Sequence, residues 1–279
     1  MIKIKCRNCG KEFSIYKYRL NMSKDICCSR KCGAELTTRR NGGTPINVDK
    51  IKNSNNFYYL MGLISTDGYI HVGLPKIKHN RKKLSIKRYI RISLARKDKD
   101  ILYKIKDVIG GNVKDYPNRK TGLNSIGCTV WETSQNDFID HILKTTNIQY
   151  NNKTFNLNVT EWFNGLSPIQ KLYYIRGVFD GDGGITIHKN KTLNSIGWNT
   201  SIITASLDFI NMLINYFKSC NIYTRYKEIN KKYHYCYWTK KQFSVEMLDH
   251  IYGNISNDDL YINRKYEKYK IIKDNYVKT

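Results

Sequence analysis

The feature that most constrains this chain is that one succession of helix and strand patterns runs twice along it. Tyr59-Leu-Met-Gly-Leu-Ile-Ser-Thr-Asp67-Gly68 returns as Tyr174-Ile-Arg-Gly-Val-Phe-Asp-Gly-Asp182-Gly183. Each apolar run is followed by a short strand-like stretch (69–72 and 185–188), a polar loop and an alternating strand (88–94 and 198–203). Amphipathic helices follow at 100–109 and 207–217, with apolar residues three and four apart. Two further strands end near 128–133 and 233–238, and a last helix closes each half. Later landmarks keep step: Asp98 and Asp208 lie 31 and 26 residues beyond Asp67 and Asp182, Trp131 and Trp238 lie 64 and 56 beyond, and Lys153 and Lys265 lie 86 and 83 beyond. A chance copy of one short motif would not preserve that order. The expected fold is α+β, two pseudo-symmetric α-β-β-α-β-β-α halves over residues 54–160 and 161–279.

Ahead of the halves lie a Cys-rich block, 1–36, and a polar stretch, 37–53, whose Gly42-Gly43-Thr44-Pro45 reads as a linker. The chain carries 48 Lys and Arg against 23 acids, a formal charge of +25, which points to a polyanionic partner. Aromatic content of 13% argues for folded domains rather than a basic tail. No long uncharged apolar run and no leader behind Met1 is present, so the expectation is a cytoplasmic protein with no membrane partner.

The paired motifs resemble those of single-chain LAGLIDADG homing endonucleases: Leu60–Gly68 and Ile175–Gly183 match that family's nine-residue motif at its small, apolar and acidic positions. Asp-Gly after one apolar helix is common turn chemistry, so the weight rests on two copies at domain spacing. Gly62 and Thr66 are four apart on one helix face, as are Gly177 and Gly181, and such stripes admit close helix approach. The resemblance implies that the two motif helices pack on each other as the interface between halves. Gly68 and Gly183 are expected to end them in a positive-φ helix stop. Asp67 and Asp182 then meet at two negative helix ends, where both resist ionising without a cation. Mg²⁺ (or Mn²⁺) suits such carboxylates and leaves room for phosphate oxygens. By resemblance, both Asp residues are catalytic metal ligands, the carbonyls of Thr66 and Gly181 are further ligands, and Lys153 and Lys265 stand beside the site, with Arg264 competing for the second place. Asp180 has Ser65 as its counterpart and is not expected to be a required ligand. The resemblance further implies a monomer that reads an extended double-stranded DNA site with a saddle of antiparallel sheets, four strands per half, and that promotes mobility of an intron or a free-standing gene.

The segment between the first two strands is basic: Lys76, Lys78, Arg81, Lys82, Lys83, Lys87, Arg88 and Arg91, with a milder equivalent in Lys189 and Lys191. A β-ribbon fits the major groove, and these side chains are candidate DNA contacts. Cys6-Arg-Asn-Cys9 and Cys27-Cys28-Ser-Arg-Lys-Cys32 have the spacing of a tetrahedral Zn²⁺ site on Cys6, Cys9, Cys28 and Cys32, with Cys27 able to replace Cys28. So short a block needs the metal to fold. Cys128, Cys220 and Cys236 lie on apolar segments and read as core cysteines.

The main rival is a LAGLIDADG-derived protein that grips nucleic acid without cutting, either a transcription regulator or a maturase bound to intron RNA. An intein is weaker, since Lys278-Thr279 is not the His-Asn ending that splicing requires.

Overall fold

The computed structural model describes residues 1–21, 25–73, 86–116, 127–146, 148, 153–190, 195–230 and 232–277. Its N-terminal block is a hairpin, β1 (Ile2–Lys5) on β2 (Glu12–Ile15), followed by helix α1 (Arg30–Arg40). The Ser29 hydroxyl accepts from Cys32 N and starts that helix.

Helix α1 runs beyond residue 36, and the stretch after it is packed down rather than loose. Thr44 exchanges two backbone hydrogen bonds with Gly111, at 2.8 and 2.6 Å. The Gln135 amide holds both backbone groups of Ile46, and Ile46 and Ile51 are buried in the main core. Gly110 and Gly111 have φ of 113° and 97°, and a Cβ on Gly111 would strike the Trp131 ring. These glycines let the edge of the first repeat receive the segment. Helix α2 (Val48–Ile51) completes it.

The first repeat is α3 (Asn55–Thr66), β3 (Gly68–Val72), β4 (Arg88–Ala95), α4 (Lys99–Val108), β5 (Asn112–Tyr116), β6 (Cys128–Thr133) and α5 (Asn136–Thr146). Short helices α6 (Lys153–Asn156) and α7 (Thr160–Asn164) lead to the second: α8 (Pro168–Asp182), β7 (Gly183–Asn190), β8 (Ser195–Thr204), α9 (Leu207–Ser219), β9 (Arg225–Ile229), β10 (Tyr233–Trp238), α10 (Lys241–Tyr252) and α11 (Asn263–Val277). The two sheets have the same antiparallel order, β3-β4-β6-β5 and β7-β8-β10-β9. The expected α+β saddle of two four-stranded sheets is the observed architecture, and the strand and helix positions agree with the sequence pattern to within a few residues.

Strand alternation decides which side chains face the helices. Ile90 and Ile92 of β4, Trp131 of β6, Ile185 of β7, Trp198 and Ile202 of β8, and Cys236 and Trp238 of β10 are buried under the amphipathic helices. One continuous core runs through both repeats. No helix among the described residues is long and apolar enough to cross a membrane.

Candidate active site and nucleic-acid interface

The repeats meet at α3 and α8. Ser54 caps α3 by accepting from Phe57 N; α8 opens with Pro168 behind a capping box of Ser167 and Gln170. A Cβ on Gly62 would collide with the Tyr174 carbonyl oxygen, and one on Gly177 with that of Tyr59. Thr66 fills the space that a Cβ on Gly181 would need, and that Cβ would stand 3.3 Å from Asp67 Oδ2. The helices thus touch backbone to backbone along the small-residue stripes. Across the pseudo-dyad, Tyr59 donates to Asp180 Oδ2 at 2.8 Å and Tyr174 donates to Ser65 Oγ at 2.9 Å.

Asp180 is fully inside, and it also accepts from Tyr252 Oη (2.5 Å) and Ile262 N (2.8 Å). It ties α8 to α10 and to the lead-in of α11, a framework role in a position where the first repeat manages with Ser65.

The helix ends correct one expectation. Neither Gly68 nor Gly183 takes a positive φ; Gly183 is extended at φ −77°, ψ 143°. They are small for a steric reason: a Cβ on Gly68 would press within 2.5 Å of Ile64 Cα, and one on Gly183 would collide with Phe179 O. The carbonyls that a left-handed cap would satisfy are taken instead by lysines. Lys153 Nζ donates to Ile64 O (2.6 Å), Thr66 O (2.9 Å) and Gly68 O (2.5 Å). Lys265 Nζ donates to Phe179 O and Asp180 O (both 2.7 Å), Gly183 O (2.5 Å) and Gly181 O (3.4 Å). Each cation sits at the negative end of a helix dipole. The Thr66 and Gly181 carbonyls named above as metal ligands are therefore engaged by ammonium groups here. Arg264 does not compete with Lys265; it pairs with Asp98.

Four charges converge beneath the helix ends. Burial pushes the Asp67 carboxyl up, against the opposing pull of Lys265 and then Lys153. Part of Asp182 is exposed, yet surrounding protein displaces enough water to lift its carboxyl to about 6, with the Asp67 charge as second cause. Burial lowers both lysines to about 8. The field is crossed: Asp67 feels Lys265 more than Lys153, while Asp182 feels Lys153 more than Lys265. Two adjacent carboxylates that resist ionisation fit a divalent cation, which would supply the missing counter-charge.

The cysteine quartet is also assembled. Sγ atoms of Cys6, Cys9, Cys28 and Cys32 lie within 4.8 Å of one another, with Cys9–Cys28 at 3.7 Å and Cys28–Cys32 at 3.6 Å. Four thiolates 2.3 Å from one Zn²⁺ would be spaced about 3.8 Å apart. The donor set fits zinc, and it includes Cys28 rather than Cys27. Burial disfavours a thiolate at Cys6, but backbone donors of Cys9, Cys28 and Asn8 outweigh it and bring that thiol to about 5.

On the sheet faces turned away from the helices, Tyr69, His71, Tyr89 and Arg91 stand together. His71 stacks on Tyr89 at 4.8 Å, and Lys87 and Arg91 lie over the same ring. Glu132 joins Arg91 (2.9 Å) and Lys114 (2.8 Å). In the second sheet, register places Arg225 and Lys227 beside Tyr237 and Tyr235, which stack at 5.1 Å. Of the described candidates, Lys87 and Arg91 lie on this face. Arg88 shares the parity of Ile90 and Ile92 and is paired with Asp140 of α5, and Lys189 shares that of Ile185 and Ile187. Lys76, Lys78, Arg81, Lys82, Lys83 and Lys191 lie outside the described residues. Tyr69, His71, Tyr89, Lys114, Glu132, Arg225 and Lys227 escaped the sequence reading, although strict alternation with buried neighbours marks them.

Two repeated halves, packed through paired helices that end in an acidic pair under a saddle of sheets, form the fold of two-motif, single-chain LAGLIDADG proteins. Residues 60–163 match the family model described as LAGLIDADG endonuclease. No curated protein matches its sequence. Among solved structures it is similar to the I-LtrWI LAGLIDADG homing endonuclease bound to target DNA (14% identity, TM-score 0.55, 84% of this chain and 92% of that one). It is also similar to meganuclease I-SmaMI bound to uncleavable DNA (11%, TM-score 0.52, 78% and 89%) and to meganuclease I-AabMI bound to uncleaved DNA (13%, TM-score 0.50, 78% and 88%).

Proposed function

We propose that this protein is a site-specific endonuclease that cuts both strands of a DNA duplex with divalent metal. The observation that carries this reading is the junction of α3 and α8, where Asp67 and Asp182 end two touching helices between two basic, aromatic sheet faces. The saddle would hold the duplex, with Lys87, Arg91, Lys114, Arg225 and Lys227 on phosphates or base edges.

Asp67 and Asp182 would hold Mg²⁺ or Mn²⁺, which when bound lowers the pKa of an attached water and offsets charge on the attacked phosphate. Lys153 and Lys265, held near 8 and so still mostly protonated at pH 7, would place two positive charges beside the attacked phosphates. With one carboxylate and one lysine from each repeat at the junction, one acidic and one basic group would face each strand. Cys6, Cys9, Cys28 and Cys32 would hold one structural Zn²⁺. Both repeats lie in one chain, so a monomer suffices, and a role in mobility of an intron or free-standing gene fits such an activity.

The test is to incubate the protein with Mg²⁺ and a randomised duplex library and to sequence the cut ends. Duplex retained but uncut under varied metal and salt supports instead a non-cleaving binder. Cleavage undiminished in Asp67→Asn and Asp182→Asn would remove the site assignment.

A further inference from the structure

The outer face of the first sheet does not stop at its own strands. A cavity of about 730 Å³ is lined by Lys87, Tyr89, Arg91, Lys114 and Glu132 together with Thr38 of the last turn of α1 and Asn41, which caps that helix. Lys87, Arg91 and Lys114 against the single carboxylate of Glu132 leave this lining net positive, which suits a polyanion; Arg88 also borders it but is paired with Asp140. Thr38 and Asn41 are three apart and share a helix face, with exposed Arg39 beside them.

This turn is clamped in place. Gly43 N donates to Thr38 O at 2.9 Å, Thr44 is bridged to Gly111 at the start of β5, and Lys106 Nζ donates to Gly42 O at 2.8 Å. The block behind it, residues 1–41, has eleven Lys and Arg against three acids. A strong positive block is thus fixed at the rim of the sheet face, in continuity with it.

We propose that the last turn of α1 belongs to the DNA-binding surface, with Thr38, Arg39 and Asn41 gripping duplex backbone that runs out past the first sheet. The cysteine module would then set the length of DNA covered rather than merely cap the fold. This rests on the DNA-binding reading above.

The test measures affinity for a mixed-sequence 40-bp DNA duplex by anisotropy across a salt series, with zinc content checked for every variant. Arg39→Ala should reduce the slope of log affinity against log salt by about 0.9, the value for one lost phosphate contact, and Arg39→Lys should restore it. The double variant Thr38→Ala/Asn41→Ala should weaken binding about fivefold with the slope unchanged. Unchanged slope and affinity in all of these, beside weakened binding by Arg91→Ala/Lys114→Ala, would overturn this proposal alone. Failure of the unmutated protein to bind the duplex would overturn it together with the DNA reading. Losses confined to an RNA duplex of the same length would also overturn it.

Discussion

Arg264, at the start of α11 in the second repeat, clasps Asp98 of the first repeat through two parallel hydrogen bonds of 2.9 Å. The pair crosses between the halves, and the Asp98 charge is close enough to Asp67 to oppose ionisation of that carboxyl. Two chain neighbours therefore divide the work: Arg264 ties the repeats together, and Lys265 closes the end of α8.

Asp98→Ala and Arg264→Ala should each cost about 2 kcal/mol, less than a fully enclosed ion pair, because the Arg264 side chain keeps 36% of its surface. Arg264→Lys should recover only part of this, since an ammonium cannot make the two-pronged contact. Urea unfolding of the single and double variants checks it. Strictly additive losses would show that the two residues act independently.

The backbone contact of α3 and α8 makes Gly62→Ala and Gly177→Ala costly, by about 3 kcal/mol, because the obstacle is a carbonyl rather than a movable side chain. Both should also lose cleavage, as the helices and the carboxylates at their ends separate. Gly33→Ala on α1 is the control: its Cβ would meet open space, and alanine favours a helix. Thermal unfolding and DNA cleavage of the three variants are the measurements.

Without added divalent ion, stability should fall as pH rises from ~4 toward 6. An unfolded Asp titrates near ~3.9, whereas Asp182 is held at about 6, so the folded state binds the proton more tightly. That contribution is complete below the lower value and gone above the upper. The lysines act at the alkaline side: held at about 8 against ~10.4 unfolded, they contribute stability above the unfolded value that is lost as pH falls through 8. Asp182→Asn should flatten the acid slope and Lys153→Met reduce the alkaline one, read by urea unfolding over a pH series.

One Zn²⁺ per chain should be released on modification of the thiols. Cys28→Ser should weaken retention of the metal at least tenfold, whereas Cys27→Ser should leave it bound, since Cys28 and not Cys27 completes the quartet. Chelation should expose residues 1–41 to hydrogen exchange while the core of the repeats stays protected. Equal loss from both serine variants would contradict the quartet.

Local pattern alone determined a good deal about this chain: the doubled α-β-β-α-β-β-α order, the small-residue stripes of Gly62 and Gly177, the acidic pair at the motif ends and the cysteine spacing. These are legible because helix and strand periodicity and ligand spacing are properties of near neighbours. Strand parity was legible too, and it separates Arg91 from Arg88. Tertiary structure decided the rest. Lys153 reaches carbonyls 85 to 89 residues away, Arg264 reaches Asp98 across 166 residues, and Thr38 comes to line one cavity with Arg91 and Lys114. Gly68 and Gly183 show the division most sharply. Sequence marks them as helix stops; only packing shows that they are small to clear Ile64 and Phe179, and that lysines from the far end of each repeat do the capping. A hydrogen bond or a collision depends on distance in space, which chain order does not encode.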